Sequence, residues 1–505
     1  MKKFYITTPL YYVNDQPHIG HAYTTILADV IARFHRSRGE EVYFLTGTDE
    51  HGQKVQHAAE KRGVDPQKHV DEYVHHFLDM WDKLQIRYDG FIRTTEKRHI
   101  DRVKDVLNDF YRRGEFYTAE YEGLYSVSEE RFVTEKEVEE GGFREVIHLK
   151  EKNYFFKMSK YQDALIRHIE EHPDFIIPSS RRNEILGFLK KPLGDLCISR
   201  PKSRLKWGIE LPFDTDYVTY VWFDALLNYI TAIGWKADDA MFKELWPVDY
   251  HLLGKDIITT HAVYWTTMLM ALGLPLPKSI LAHGWWLTDG NKMSKSLGNV
   301  VRPLDLVDEY GVDPVRYFLM RDMVLGLDST FSMDAFIRRY NSDLANDFGN
   351  LINRVTIMIK KHFEGKIPEP GPFDAIDLRL IDEANQIPGE IKNLIDELKI
   401  SDAIETAISL FRKLNVYLEK KAPWKAVKAD PSQGGTAATT LYVSSNILQI
   451  GARLLEPVMP SKIEAILQLI GVSSDCSIGT QFGSLRPGSV VGEDRSPFPR
   501  ILADE

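Results

Sequence analysis

Apolar and β-branched side chains crowd residues Phe4 to Tyr12, and from about Gly20 to Arg36 they return at helical spacing through Ile26, Leu27, Val30, Ile31 and Phe34. This predicts a strand, a turn and a helix. A second strand, Glu41 to Leu45, runs into the polar series Thr46-Gly47-Thr48-Asp49-Glu50-His51-Gly52, so the chain opens on a βαβ unit. Such units build parallel sheets whose ligands sit beyond the carboxyl ends of the strands, where the polar residues after both strands lie. From about Gly114 to Asp214 the rhythm changes. Gly141-Gly142, the turn Pro178-Ser179-Ser180 and short alternating segments predict an inserted α+β module. The parallel pattern resumes with Tyr217 to Val221, His251 to Leu253 before Gly254-Lys255-Asp256, and Ser279 to Ala282 before His283-Gly284. Beyond about Asp334 the spacing is helical, with an apolar face through Leu344, Phe348, Leu351, Ile352 and Val355 and a proline-rich break near Pro368 to Pro372.

The predicted class is α/β: a Rossmann-like parallel-sheet domain split by an α+β insertion, followed by an all-α bundle. The expected segments are 1–113 and 215–290 for the two halves of the sheet domain, 114–214 for the insertion, 291–334 for a linking subdomain and 335–505 for the bundle.

Composition narrows the class. At 505 residues the chain exceeds one ordinary domain, and 43% hydrophobic with 27% charged residues is a soluble, folded balance. The most apolar stretch, Val263 to Leu276, is interrupted by Thr266, Thr267 and Gly273 and is too short for a bilayer, so it predicts a buried helix and no membrane contact. The N-terminal residues lack an apolar leader, so the cytoplasm is the expected compartment. Cys197 and Cys476 are too few for a disulfide framework or a four-cysteine metal knuckle. A formal charge of -10 opposes general polyanion binding, so any RNA contact must be local. The basic run Arg181 to Lys206 reads either as such a patch or as an ordinary solvated surface.

Two short motifs carry chemistry. His18-Ile19-Gly20-His21 lies at the predicted strand-to-helix turn, where free N–H groups, two imidazoles and a glycine suit a phosphate; taken alone it reads equally as a helix cap. Lys292-Met293-Ser294-Lys295-Ser296 follows the turn sequence Asp289-Gly290-Asn291 and places two ammonium groups on a loop, which suits a polyphosphate or simply solvent.

In this order the two motifs resemble the HIGH and KMSKS signatures of class I aminoacyl-tRNA synthetases. Tyr11-Tyr12-Val13-Asn14, Gly47 to Gly52, Gly254-Lys255-Asp256 and His283-Gly284 are similar to the methionine-specific branch of that family, over nearly the whole chain. The resemblance implies an enzyme that joins methionine to ATP as an adenylate and passes it to initiator and elongator methionine tRNA, with Mg²⁺ accompanying ATP. It assigns catalysis to His18, His21, Lys292 and Lys295. ATP would also meet Gly20, Gly254, Asp256, His283 and Gly284. Asp49 would bind the methionine ammonium. Leu10, Tyr12, Trp222 and Ala225 would line the side-chain slot, together with Tyr229, Ile257, His261 and Trp265. Aromatic edges suit a thioether, but that contact contributes only about 0.3–1.5 kcal/mol, so the shape of the slot must reject leucine and isoleucine. Trp222, Tyr229 and Trp265 read otherwise as core aromatics. Asn350 and Arg354, one helical turn apart, resemble the anticodon-reading face of the family, and Trp424 its stacking partner.

One segment departs from the family pattern. Glu122 to Phe132 resembles the stretch that carries a zinc knuckle in many relatives, yet Ser126 and Glu129 stand where cysteines would be, so no structural zinc is expected. Other readings remain at this stage. Synthetases for leucine, isoleucine, valine or cysteine share the signatures but usually need an editing insertion or zinc-binding cysteines. A small-molecule nucleotidyltransferase leaves the helical region unexplained, and a non-catalytic tRNA-binding module leaves the two signatures unexplained. A monomer without an obligate protein partner is expected.

Overall fold

Strands Lys3–Thr7, Glu41–Asp49, Tyr250–Gly254 and Ser279–His283 each carry a short apolar run, and the computed structural model gives the reason: they form a parallel sheet with Ile6, Phe44, Leu45, Leu252, Leu253, Ile280 and Leu281 all buried. The structure describes residues 3–126, 131–133, 135–139, 146–288, 291–292, 301–430, 432, 434–472, 479–493 and 496–502. The chain divides into two units, Met1–Gly284 and Trp285–Glu505.

In the first unit the sheet runs in the order Tyr11–Tyr12, Glu41–Asp49, Lys3–Thr7, Tyr250–Gly254, Ser279–His283, Ile176–Ile177, with Gly90–Arg93 also paired to Glu41–Asp49. All its pairings are parallel. The strand order reverses around Lys3–Thr7, because the chain goes first to Glu41–Asp49 on one side and much later to Tyr250–Gly254 on the other. Crevices at such a reversal are where open α/β sheets take ligands. Gly47 is required beside Gly90–Arg93, since a Cβ there would lie 2.0 Å from the Ile92 carbonyl oxygen.

Two parts of the sequence pattern fold differently from expectation. Within the span 114–214, strands Phe116–Ser126, Arg131–Val133, Val146–Phe156 and Leu196–Cys197 make a separate antiparallel sheet, but Ile176–Ile177 joins the main parallel sheet at its edge. The segment expected to resume the parallel sheet near Tyr217 instead forms Asp214–Thr219, antiparallel to Ser199–Pro201 and Glu210–Leu211. A short apolar run fits either environment, and here backbone pairing decides. The stretch after Val263 is buried and helical, but it begins with a π-helical turn, Thr260–Trp265, before Thr266–Leu272. No helix among the described residues is long and apolar enough to cross a membrane.

The second unit begins with a small sheet of Trp286–Thr288, Asn291–Lys292 and Ser329–Phe331 and is helical thereafter. A second π-helical segment, Tyr340–Gly349, leads into helix Asn350–His362. Helices Ala375–Asp396, Ile400–Lys421 and Thr436–Leu455 pack around Phe348 and Phe411, whose rings stack at 4.0 Å.

Candidate active site

The sequence His18-Ile19-Gly20-His21 caps the helix Ile19–Ser37, and the cap itself prepares the site. The Gly20 N–H donates to His18 Nδ1 at 3.0 Å, and the His18 N–H donates to His21 Nδ1 at 3.1 Å. Each Nδ1 is thus an acceptor, so a neutral ring carries its proton on Nε2, the donor form that an anionic oxygen needs. The rings stack at 3.9 Å. The capping geometry therefore sets the tautomer of both rings.

Gly254, Asp256 and His283 gather at the carboxyl edge of the sheet. A Cβ on Gly254 would fall 2.6 Å from Asp256 Oδ1 and 3.6 Å from His283 Cε1. His283 and Gly284 are buried. Burial lowers the His283 pKa, and its Nδ1–H donates to the Gly284 carbonyl at 2.7 Å. Its Nε2 then accepts from the Thr24 hydroxyl at 2.7 Å, which ties the capped helix to the strand Ser279–His283. His283 is placed to hold this junction, whereas exposed Asp256 and the helix start face outward.

Several residues expected to line the amino-acid slot lie close together. Tyr12 pairs in register with buried Asp49, and the Tyr12 ring meets Trp222 edge-on at 6.4 Å. Trp222 meets His261 at 6.2 Å, and the Tyr229 hydroxyl lies 2.7 Å from His261 Nε2. Ile257 supplies the carbonyl that faces His261 Nδ1 at 2.9 Å, so this nitrogen is the donor and Nε2 accepts from Tyr229. Leu10 lies beside Gly47, and Ala225 shares the helix Val221–Leu226 with Trp222. Trp265 has no exposed surface. It packs against Tyr229 at 5.8 Å and donates through Nε1 to His251 Nε2 at 3.1 Å, so its polar edge is turned to the core.

Burial pushes the His261 imidazole down to about 4 from its ordinary 6.5. The unfolded chain then binds more protons than the folded one between those values. Stability present above pH 6.5 is lost as the pH falls toward 4, by roughly 3 kcal/mol at most for this group. Urea unfolding at pH 7 and pH 4.5 is expected to show a larger loss in the native chain than in His261→Gln, which keeps an acceptor for Tyr229 and does not titrate. Equal losses would remove His261 as the cause.

Several polar residues here have no signature in the sequence. Glu50 is wholly buried and accepts from Thr48 and from Arg93 Nε at 2.7 Å each, and from Thr95. Asp224, also wholly buried, sits between His51 and His99. Burial alone would raise its pKa, but the two imidazoles more than reverse this and hold it below the ordinary carboxylate value. These contacts join residues 173 and 125 positions apart, beyond the reach of any local pattern.

Half of the basic run Arg181 to Lys206 is engaged within the chain, while Lys190, Lys191 and Lys206 are exposed. Arg200 and Arg204 lie over the Tyr125 ring at 5.5 and 4.5 Å, Arg181 pairs with Glu184, and Lys202 pairs with Glu210. In the second unit Arg354 lies over the Trp424 ring at 5.3 Å, and its Nη2 donates to Glu419 at 2.6 Å. Asn350, one turn earlier, is exposed, so three residues separated in sequence share one surface. Lys292 belongs to the strand Asn291–Lys292; its side chain, Lys295 and Glu129 lie outside the described residues.

Two family models match the chain: tRNA synthetases class I (M) at residues 4–142 and 144–356, and the anticodon binding domain of methionyl tRNA ligase at residues 367–496. The chain is 46% identical to the methionine–tRNA ligase of Caldanaerobacter subterraneus, over 99% of this chain and 79% of that protein. It is 46% identical to that of Clostridium acetobutylicum, over 100% and 79% respectively. Mycobacterium tuberculosis methionyl-tRNA synthetase bound by methionyl-adenylate superimposes with a TM-score of 0.94 at 40% identity, over 99% of this chain and 100% of that one.

Proposed function

The chain belongs to the class I tRNA synthetases of the methionyl type, and from that membership we propose a division of labour among its residues. It activates L-methionine with ATP and charges methionine tRNA with the product. In the first step a methionine carboxylate oxygen bonds to the α-phosphorus of ATP as pyrophosphate leaves. In the second, a hydroxyl of the tRNA 3′-terminal adenosine attacks the adenylate carbonyl, loses its proton and displaces AMP.

Asp49 takes the ammonium, and Tyr12, Trp222, Tyr229 and His261 shape the slot for the thioether. His18 and His21 donate Nε2–H groups to phosphate oxygens, and Asp256 accepts from the ribose hydroxyls where Gly254 lets the nucleotide approach. Lys292 and Lys295 neutralise the departing pyrophosphate. Positioning and charge stabilisation do the work, with no enzyme nucleophile. Mg²⁺ enters with ATP. Ser126 and Glu129 supply no thiolate, which supports a connective module without structural zinc. The chain is read as a cytoplasmic monomer.

The observation that carries this reading is the convergence, at one sheet edge, of the capped helix, Asp256 and the pocket built on Asp49, Trp222, Tyr229 and His261. ATP–pyrophosphate exchange run with each standard amino acid tests it: exchange should depend on methionine, and dependence on any other amino acid would overturn the assignment. Asn350, Arg354 and Trp424 read the anticodon. Trp424→Ala should lower tRNA charging efficiency by about tenfold to a hundredfold, the worth of one base stack, with exchange unchanged. Equal damage to both reactions would mean that Trp424 only supports folding.

A further inference from the structure

Asp224 has no place in the roles given so far. It lies between Trp222 and Ala225 on the helix Val221–Leu226, and both its oxygens are engaged: Oδ2 is 2.7 Å from His51 Nδ1, and Oδ1 is 2.7 Å from His99 Nε2. His99 Nδ1 lies 2.8 Å from the Thr231 hydroxyl, so this ring is fixed at both nitrogens. His51 follows Asp49 by two residues. The residue between them, Glu50, is pinned by Thr48, Arg93 and Thr95, and its carbonyl accepts from the Trp207 indole. Asp49 closes the strand Glu41–Asp49 in register with Tyr12, and the chain just beyond it is held first by Glu50 and then by His51, which ends on Asp224.

A buried carboxylate is a costly way to fill space, since apolar residues of the same volume pack there without desolvating a charge. What a charge held by two directional hydrogen bonds adds is geometry. An amino acid carries its ammonium and side chain on one carbon, so the spacing between the two subsites must match the substrate. We propose that Asp224 is a positioning residue for the amino-acid pocket: by bridging His51 and His99 it sets the distance of the Trp222–Ala225 wall from the strand end that bears Asp49. This rests on the reading of Asp49 and Trp222 as the methionine site. It requires that disturbing the bridge weaken methionine binding and leave ATP binding and turnover alone.

Exchange kinetics on the full chain test this. Asp224→Asn presents an amide N–H to one histidine donor and should raise KM for methionine about tenfold, the worth of one ordinary hydrogen bond, with KM for ATP and kcat within about twofold. His51→Asn keeps a donor near the Nδ1 position and should stay within about threefold of the native KM, whereas His51→Leu should show the tenfold rise. The His51 pair decides the matter if Asp224→Asn does not fold. An unchanged methionine KM in Asp224→Asn, a parallel rise in both KM values, or identical behaviour of His51→Asn and His51→Leu would overturn the proposal. Asp49→Asn separates the two readings: if it leaves the methionine KM unchanged, the pocket assignment fails; if it raises that KM and Asp224→Asn does not, only the bridge fails.

Discussion

Asp49→Asn is expected to raise KM for methionine in ATP–pyrophosphate exchange by about a hundredfold or more, with KM for ATP within about threefold, because losing one partner of a buried charge pair costs about 2–5 kcal/mol. Asp49 ends the strand Glu41–Asp49 and is 2% exposed, so in the proposed role its carboxylate would pair with the ammonium with little competing water. Its backbone is fixed by register with Tyr12 and by the anchoring of Glu50 to Arg93. The asparagine side chain has nearly the same shape and keeps one acceptor, so the change removes charge and little else. A methionine KM that stays within threefold of native would place the ammonium elsewhere.

Lys295→Ala should slow adenylate formation by about a hundredfold to a thousandfold, the cost of removing one group aimed at charge developing in the transition state, while methionine binding is unaffected. In the proposed mechanism the lysine acts on the pyrophosphate as it departs, so its loss should fall on kcat of exchange and leave methionine affinity, measured by equilibrium titration without ATP, at its native value. Unchanged exchange would remove Lys295 from the chemistry; weakened methionine affinity would mean that the loop shapes the pocket instead.

How much of the molecule is legible in its sequence depends on how locally each feature is encoded. The first βαβ unit is readable because the strand is a contiguous apolar run and the helix start is marked by its own capping residues, His18 to His21. Asp49, Trp222 and His261 are reachable only through family resemblance, since an aromatic residue in a core looks the same as one in a pocket. Ile176–Ile177 is too short to announce which sheet it joins, and in Asp214–Thr219 only Tyr217 and Val218 are apolar, too few to select a sheet. Charge counts over Arg181 to Lys206 do not show which cations are engaged, and Arg200 and Arg204 turn to the Tyr125 ring. The bridge from Asp224 to His51 and His99 is invisible for a further reason: a hydrogen bond between distant positions leaves no periodicity along the chain.

The π-helical segment Tyr340–Gly349 runs directly into the helix that carries Asn350 and Arg354. Each residue advances a helix by about 100° around its axis, so a widened turn acts as a phase shifter between the helical turns on its two sides. The winding of this segment therefore sets the azimuth from which Asn350 and Arg354 leave the helix axis. On the proposed reading of these two residues, the direction in which they face RNA is stored upstream of them, in backbone winding as well as in their side chains.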